Sequence, residues 1–343
     1  MARWWSGHGV GDLAIDLGTA NTVIYQRGRG IVLDEPSVVA VDRRTQRLIA
    51  AGSKAKEMLG RTPDHVEAVR PLKDGVVSDA EITERMLRYF VEKVGPSKIV
   101  RPRIVVCVPS EVTGVERRAL EDSALRAGAR RVFIVEEAMA AALGAGLPVN
   151  ETRAQMVVDI GGGTTDVAVI SLGGIVTSRS VRVGGDEIDE AVISFVKAEY
   201  SLLLGERSAE DIKVAVGSVF PLAEELTTRV RGRDLVTGLP KTVQISSKEV
   251  RRAIETPVIT ITDIVRSVLD VCPPELAGDI LDSGITLTGG GALLRGWGAR
   301  LRHELGVPVT VADDPVRAVA RGSGRCVEDF ASLSRVLADV RRG

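Results

Sequence analysis

Residues Met156 to Ser171 read MVVDIGGGTTDVAVIS, so that three glycines and two threonines lie between two apolar runs. This pattern predicts a tight strand-turn-strand hairpin, because glycine adopts the positive φ values that other residues resist. Without Cβ atoms in the way, the backbone N–H groups of such a turn can surround an anion. Asp159 precedes the glycines and is a hard oxygen ligand of the type that Mg²⁺ prefers. The stretch predicts a phosphate-binding hairpin, with an ordinary tight turn as the alternative.

The same pattern occurs near the start of the chain. Residues 13–25 read LAIDLGTANTVIY, in which Asp16, Gly18 and Thr19 repeat the order of acid, glycine and hydroxyl between two apolar runs. One hairpin of this kind therefore occurs in each half of the chain. The repetition favours phosphate binding over two unrelated turns.

Length and composition restrict the possible classes. A chain of 343 residues exceeds the size that one core usually supports, which predicts two domains. With 45 basic and 46 acidic residues, the formal net charge of −1 gives no bias towards polyanions and disfavours nucleic acid as a partner. The three cysteines are far apart, which fits a reducing cytosol, and the three scattered histidines argue against a zinc site. No apolar run is long enough to cross a membrane.

Two short apolar segments are candidates for membrane contact. Trp4 and Trp5 follow a basic residue near the amino terminus, and Ile99 and Val100 lie between two basic residues in a predicted loop. Apolar side chains flanked by cations suit the surface of an anionic bilayer. The alternative is that both segments fold back on their own domain.

Further candidate site residues follow predicted strands. Glu136 and Glu137 come directly after the predicted strand Val132 to Val135, where the ligand crevice of an open α/β sheet lies, although solvated loop carboxylates are the alternative. A third glycine cluster, Gly289 to Gly291, follows the predicted strand Ile285 to Leu287, a context that lets backbone lie flat against a nucleotide.

Two helix starts are predicted from capping residues. The spacing of Ser78 and Glu81 is that of a capping box. Ser208 is predicted to cap a short helix whose Glu210 and Lys213 share one face. These two side chains form either a surface ion pair or hydrogen bonds to a ribose and base.

The three glycine sites and the acid in this order resemble the actin, Hsp70 and sugar-kinase superfamily, and within it the MreB and Mbl bacterial actins. The resemblance runs from about Leu13 to the last helix. It is carried by the segments IDLGTANT, GIVLDEPSVVA, LGRTP, VRPLKDGV, VERRAL, AGAR, VDIGGGTTDVAVISLGGIV, CPPEL and LTGGGALLRG. DIGGGTT alone would indicate only the superfamily.

The resemblance implies an α/β, two-domain actin-like ATPase fold made of duplicated RNase H-like domains, each with a smaller inserted subdomain. Residues 1–148 and 318–343 would form the first domain, with an insertion at about 34–75. Residues 149–317 would form the second, with an insertion at about 187–247.

The resemblance also assigns roles in hydrolysis of ATP, with GTP as the other candidate. Asp16 and Asp159 would organise Mg²⁺ through water, while Glu137 and Thr164 would act on the attacking water. Glu210 and Lys213 would contact the ribose and base. The remaining nucleotide contacts would be Gly18, Thr19, Ala20, Asn21, Gly161, Gly162, Gly163, Thr164, Gly289, Gly290, Gly291 and Ala292.

Three residues depart from the family pattern. Ala138 stands where proline usually follows the catalytic glutamate, so the main chain of Glu137 is less firmly fixed. Asp166 stands at a position where glutamate is more common in the family. Ala215 replaces a frequent glutamate near the base pocket, which bears on the choice of nucleotide.

The function implied is that of a cytoskeletal ATPase. It would polymerise head to tail with itself, with paired protofilaments as one arrangement, beneath the cytoplasmic face of the membrane. There it would act with cell-wall synthesis and morphogenesis proteins to direct cell shape. Slow hydrolysis would regulate assembly, because the angle between two hinged domains sets how subunits stack.

Three alternatives remain from the sequence. A sugar or acetate kinase on the same fold would need an added substrate pocket, and a chaperone-type ATPase would carry a peptide-binding domain. We expect neither addition from this sequence. A nucleotide-binding paralogue with little turnover is the third, and Ala138 is the feature that keeps it open.

Overall fold

The computed structural model describes residues 11–95, 101–333 and 336–339. Its strands are β1 (Leu13–Leu17), β2 (Asn21–Gln26), β3 (Gly30–Pro36), β4 (Val39–Asp42), β5 (Leu48–Ala51), β6 (Val66–Val69), β7 (Leu72–Lys73), β8 (Val76–Val77), β9 (Arg103–Val108), β10 (Arg131–Glu136), β11 (Gln155–Ile160), β12 (Thr165–Ser171), β13 (Gly174–Val181), β14 (Leu202–Leu203), β15 (Thr227–Asp234), β16 (Pro240–Ser246), β17 (Ile285–Thr288), β18 (Val309–Val311) and β19 (Ala338–Asp339).

The helices are α1 (Ser53–Lys56), α2 (Ala80–Val94), α3 (Gly114–Arg126), α4 (Glu137–Gly144), α5 (Gly185–Tyr200), α6 (Glu206–Val216), α7 (Ser247–Ala253), α8 (Glu255–Asp270), α9 (Pro274–Ser283), α10 (Trp297–Leu305) and α11 (Ala318–Glu328). Short 3₁₀ helices cover Gly290–Leu293 and Pro315–Arg317.

Two main sheets organise the molecule. The first has six strands in the order β19-β10-β9-β1-β2-β3, and the second has five in the order β13-β12-β11-β17-β18. In each sheet an antiparallel pair, β1 with β2 and β11 with β12, continues into parallel neighbours. The two predicted glycine hairpins are therefore confirmed, and they occupy matching places in the two sheets.

Helices α4 and α11 join the two sheets. Ala140 of α4 and Val319 of α11 belong to one buried apolar cluster with Ala14 of β1 and Val157 of β11. Glycines at the contact, Gly144 of α4 and Gly322 of α11, let the two backbones approach closely. Burial of this cluster holds the two sheets together along one side, since apolar area removed from water is the main stabilising contribution.

Each main sheet carries a smaller one. Strands β5-β4-β6 form a separate three-stranded sheet within residues 39–69, and β14-β15-β16 form another within residues 202–246. Both lie inside the segments that the sequence predicts as insertions. The division into domains and its boundaries stay predictions.

Two predicted helix starts are wrong. Helix α2 follows Asp79, whose side chain accepts a hydrogen bond from Ile82 N at 3.0 Å, while the Ser78 hydroxyl donates to Pro71 O. Helix α6 begins at Glu206 after Gly205, so Ser208 lies within its first turn and does not cap it. At α2 the neighbouring Asp79 takes the capping role predicted for Ser78, whereas α6 begins earlier than predicted, after a glycine without a capping side chain. Local spacing alone settles neither case.

Candidate functional site

A cleft of about 520 Å³ lies between the two sheets and is lined by both glycine hairpins. The first hairpin turns at Gly18, whose N–H donates to Asn21 O at 3.0 Å. A Cβ atom at Gly18 would lie 2.9 Å from that same oxygen, so the turn has no room for a side chain. Gly18, Thr19, Ala20 and Asn21 all line the cleft.

The second hairpin closes in the same way. Gly161 N donates to Thr164 O at 2.8 Å, and the strands pair Asp159 with Asp166. A Cβ atom at Gly162 would come within 2.8 Å of Ala20 Cβ, and one at Gly163 within 2.8 Å of Thr19 Oγ1. The two turns therefore touch each other across the cleft. Gly161, Gly162 and Gly163 do not have the positive φ values expected from the sequence. Contact between hairpins from opposite halves therefore requires Gly162 and Gly163.

Buried acids lie beside the two turns. Glu137 is the first residue of α4 and is 9% exposed, and Asp159 is 6% exposed; both line the cleft with Asp16. Desolvation, followed by the charge of Asp159, raises the pKa of Asp16 to about 8, and desolvation raises the pKa of Asp159 to about 6. Burial and then the neighbouring Asp166 raise the pKa of Glu137 well above its usual range. A cation in the cleft would stabilise the ionised forms of these carboxyl groups.

The main chain of Glu137 is held by packing. Ala138 is fully buried, as are Ala140 to Ala142, so the helix that begins at Glu137 has little freedom to move. Alanine at position 138 therefore does not leave the glutamate unsupported. Asp166 is also fully buried, and its carboxylate accepts a hydrogen bond from Ser110 N at 2.9 Å.

One turn that the sequence reading missed lies over both hairpins. Gly75 N donates to Thr19 Oγ1 at 2.9 Å, and a Cβ atom at Gly75 would lie 2.7 Å from Thr164 Cγ2. Both Asp74 and Gly75 have positive φ values, of 52° and 74°. The Asp-Gly pair is a turn signal that could have located this segment.

The other end of the cleft holds the residues predicted for the nucleoside. Lys213 of α6 donates to Gly185 O at 2.9 Å and to Asp189 Oδ2 at 2.8 Å. Glu210, one turn earlier, pairs with Lys56 at 2.8 Å. Glu210 and Lys213 thus line the cleft without pairing with each other in the contacts that the structure gives.

The third glycine cluster also lines the cleft, in contact with the second hairpin. A Cβ atom at Gly289 would lie 2.2 Å from Ile160 O, and one at Gly291 would lie 2.3 Å from Ile160 Cγ2. Close approach to the end of β11 therefore explains these glycines. Ala292 does not line the cleft; it is 3% exposed and packs in the core of the second half.

The structure brings together every predicted catalytic and nucleotide-contacting residue except Ala292. Several other lining residues were missed by sequence reasoning because they lie on elements without a local signature. They include Lys56, Arg70, Asp186, Asp189, Val214 and Arg295. Ala215, predicted near the base, lines a neighbouring open groove instead, and Val214 is the cleft residue.

The predicted membrane contacts are not placed by the structure. Trp4, Trp5, Ile99 and Val100 lie outside the described residues. Within the described part of the chain, no helix has both the length and the apolar character needed to cross a bilayer.

Comparison with known proteins identifies the family. The model of the MreB/Mbl protein family matches residues 10–335. The chain belongs to the MreB/Mbl family. The resemblance read from the sequence is thereby confirmed.

Individual MreB and Mbl proteins are similar over nearly their whole length. The cell shape-determining protein MreB of Escherichia coli (strain K12) is 52% identical over 334 residues, covering 96% of this chain and 96% of that protein. The cell shape-determining protein Mbl of Bacillus subtilis (strain 168) is 47% identical over 325 residues, covering 94% and 98%.

Solved structures confirm the actin-like fold. MreB5 of Spiroplasma citri bound to ADP matches with a TM-score of 0.89 at 38% identity, covering 97% of this chain and 99% of that one. MreB5 bound to AMPPNP matches with a TM-score of 0.90 at 38% identity, covering 95% and 98%. The MamK double helical filament matches with a TM-score of 0.80 at 23% identity, covering 93% and 99%, and supports the fold alone.

Proposed function

We propose that this protein is an ATPase that polymerises into cytoskeletal filaments and directs cell-wall synthesis and cell shape from the inner face of the membrane. The observation that carries the proposal is the pair of glycine hairpins that face each other in one cleft, with Glu137 beside them. The names of the E. coli and B. subtilis relatives, which call them cell shape-determining, support the cellular role.

The hairpins supply the groups that phosphates need. The backbone amides of Thr19, Gly162 and Gly163 hold the β- and γ-phosphates, and the glycine cluster at Gly289 to Gly291 lies against the adenosine. The amides of Gly18 and Gly161, which were also predicted as phosphate donors, instead donate to Asn21 O and Thr164 O within their turns. Glu210 and Lys213 contact the ribose and base. The ADP and AMPPNP in the MreB5 structures support an adenine nucleotide at this site, and GTP is the other candidate.

Glu137 orients and polarises the attacking water, and the Thr164 hydroxyl assists it. Catalysis at such a site comes chiefly from positioning and from neutralising charge on the phosphoryl group. Burial suits Glu137 to this role, because a raised pKa makes a carboxylate a better proton acceptor.

Asp16 and Asp159 fit a Mg²⁺ ion held through water. Oδ1 of Asp159 is buried and has no hydrogen-bond partner among the described residues, so it is free to accept from a metal-bound water. No group of three or more metal-ligating side chains is assembled in the described part of the chain, which argues against a cage made of protein alone. The ion would neutralise charge on the phosphate oxygens.

We assign residues 1–148 with 318–343 to one domain and 149–317 to the other. In this division α4 and α11 connect the domains at the closed side of the cleft. The insertions at about 34–75 and 187–247 supply the contacts between successive subunits.

The β15–β16 hairpin presents an apolar tip suited to such a contact. Val236 is 83% exposed and Leu239 is 65% exposed. The turn is preformed, because Asp234 Oδ1 accepts hydrogen bonds from Val236 N at 2.8 Å and Thr237 N at 2.9 Å. A rigid apolar tip loses little entropy on docking.

Two further exposed apolar residues lie on the same half of the chain. Leu172, at the turn between β12 and β13, is 66% exposed, and Leu281 of α9 is 59% exposed. Apolar residues exposed at different places on one chain permit head-to-tail association, in which the tip of one copy contacts a different part of the next.

Replacing Val236 by aspartate is expected to abolish filaments at concentrations where the wild type assembles, because a charge would be buried at the subunit contact. Sedimentation with ATP and Mg²⁺ measures this, and the critical concentration should rise at least about tenfold. The control is Ile259→Asp, which places the same charge at an exposed position of α8. If Val236→Asp assembles at the same critical concentration as the wild type, the hairpin tip is not a contact between subunits.

Membrane binding is proposed for Trp4, Trp5, Ile99 and Val100. Changing all four to serine is expected to remove the protein from anionic vesicles in a flotation experiment, because the apolar insertion is lost. The control changes four exposed apolar residues elsewhere to serine, at Val115, Val176, Ile259 and Val271. If the four-serine variant floats as well as the wild type, these residues do not anchor the protein.

Electron microscopy and phosphate release test the function itself. The purified protein with ATP and Mg²⁺ should form filaments, and phosphate release per subunit should rise with protein concentration as filaments appear. A sugar or carboxylic acid that stimulates turnover in the absence of filaments would favour the kinase alternative. Filaments with no phosphate release would favour a paralogue that binds nucleotide without hydrolysis.

A further inference from the structure

Two ion pairs cross the cleft on the side away from α4 and α11. Lys56 Nζ lies 2.8 Å from Glu210 Oε2 and 3.0 Å from Oε1, and Arg70 Nε lies 3.7 Å from Glu206 Oε2. We call these two contacts the bridging pairs. Among the described residues, they are the ion pairs that join the segment 34–75 to the segment 187–247.

The bridging pairs follow from the geometry of one helix. Glu206 and Glu210 are four residues apart on α6 and therefore share a face, which is directed at the opposite half. Their partners come from separate elements: Lys56 ends α1, and Arg70 directly follows β6. Two cations from one segment thus meet two carboxylates from the other.

Three of the four side chains also line the cleft. Lys56, Arg70 and Glu210 are lining residues, so the bridging pairs lie at the opening and not on a remote surface. Glu210 is in addition the proposed ribose contact. Lys56 therefore binds the side chain that would contact the nucleoside, and closure of the opening is linked to occupancy of the cleft.

We infer that the bridging pairs hold the opening of the cleft closed and thereby set the rate at which a nucleotide leaves it. This inference rests on the proposed function, since it requires a nucleotide in the cleft. The halves are held together by buried apolar contacts along α4 and α11. The bridging pairs control the open side, and a nucleotide leaves only after they separate.

The strength of the pairs suits such a role. Their side chains are partly exposed, at 33% and 39% for Lys56 and Glu210 and at 22% and 69% for Arg70 and Glu206. Exposed ion pairs are individually weak, so together they are expected to slow release by a factor of about three to ten. Pairs of this strength delay opening without preventing it, and salt weakens them.

The test measures release of a fluorescent ATP analogue, displaced by excess ATP in a stopped-flow instrument. Three variants reverse charges: Lys56→Glu, Arg70→Glu and Glu206→Arg. A double variant, Arg70→Glu with Glu206→Arg, restores an ion pair of opposite polarity. The control is Lys54→Glu, which makes the same charge change at an exposed position of α1 outside the cleft lining.

Each single reversal is expected to speed release about two- to fivefold, because one bridging pair remains, and the double variant is expected to return the rate towards that of the wild type. High salt should speed release from the wild type, and it should do so less in Lys56→Glu, in which only the Arg70–Glu206 pair remains. Lys54→Glu should release nucleotide at the wild-type rate. Recovery in the double variant would not occur if Arg70 and Glu206 acted only by supporting the fold.

Two outcomes would overturn the inference in different ways. If nucleotide binds to all variants and leaves them at the wild-type rate, the bridging pairs do not control release, and the proposed function stands. A wild-type protein that binds no nucleotide would overturn the proposed function and this inference together.

Discussion

Replacing Gly322 by alanine is expected to lower the free energy of unfolding by about 3 kcal/mol. A Cβ atom at this position of α11 would lie 1.7 Å from Ala140 O of α4, a backbone atom that cannot move without displacing its helix. The reciprocal contact has the same form, since a Cβ atom at Gly144 would lie 1.7 Å from Ala318 O. The two helices would have to separate and expose the buried cluster between the sheets.

Chemical denaturation followed by circular dichroism measures the loss in Gly322→Ala. The control is Gly278→Ala in α9, where nothing lies within 4 Å of the added Cβ atom. Alanine has the higher helix propensity, so this variant is expected to be as stable as the wild type or up to about 1 kcal/mol more stable. Equal stability of the two variants would show that the close helix contact does not limit substitution at Gly322.

Replacing Glu137 by alanine is expected to reduce the rate of phosphate release about a hundredfold or more, because the group proposed to polarise the water is lost. Nucleotide binding should be retained, since the phosphates are held by the glycine hairpins. The free energy of unfolding should not fall, because burial of a carboxylate is unfavourable and the substitution removes the buried group. Single-turnover phosphate release, equilibrium nucleotide binding and thermal unfolding measure the three effects separately.

The adjacent residue supplies the control for Glu137. Glu136 ends β10 and does not line the cleft, so Glu136→Ala removes the same side chain one position away. It is expected to release phosphate at the wild-type rate. If both variants hydrolyse at that rate, Glu137 has no catalytic role. If both are slowed alike, the loss reflects distortion where β10 meets α4.

Much of the fold could be predicted because its signals are local. The hairpins at Asp16 and Asp159 are each encoded by glycines between apolar runs, and the strand before Glu137 by a short apolar segment. The capping box of α7, formed by Ser246 and Glu249, is likewise a local signal. One capping prediction failed because the neighbouring Asp79 takes the role predicted for Ser78, and another because α6 begins before Ser208.

Some of the cleft residues were predicted from local sequence patterns, and the others were predicted from the family resemblance. Ala292 is the exception, because it follows Gly291 in sequence but turns into the core. Lys56, Arg70 and Gly75 were missed, although all three line the cleft. Each comes from the segment 34–75 and reaches the cleft only through the way that segment packs on the rest of the chain.

The sequence by itself determined that this protein has two glycine hairpins, an α/β architecture and membership of the MreB/Mbl family, because turns, alternating elements and motif order are properties of neighbouring residues. Only the tertiary structure decided that Gly162 meets Ala20, that Lys56 meets Glu210 and that Gly322 has no room for a side chain. These contacts join residues more than 100 positions apart in the chain. They depend on how α4 and α11 hold the two sheets together, and no local pattern encodes that arrangement.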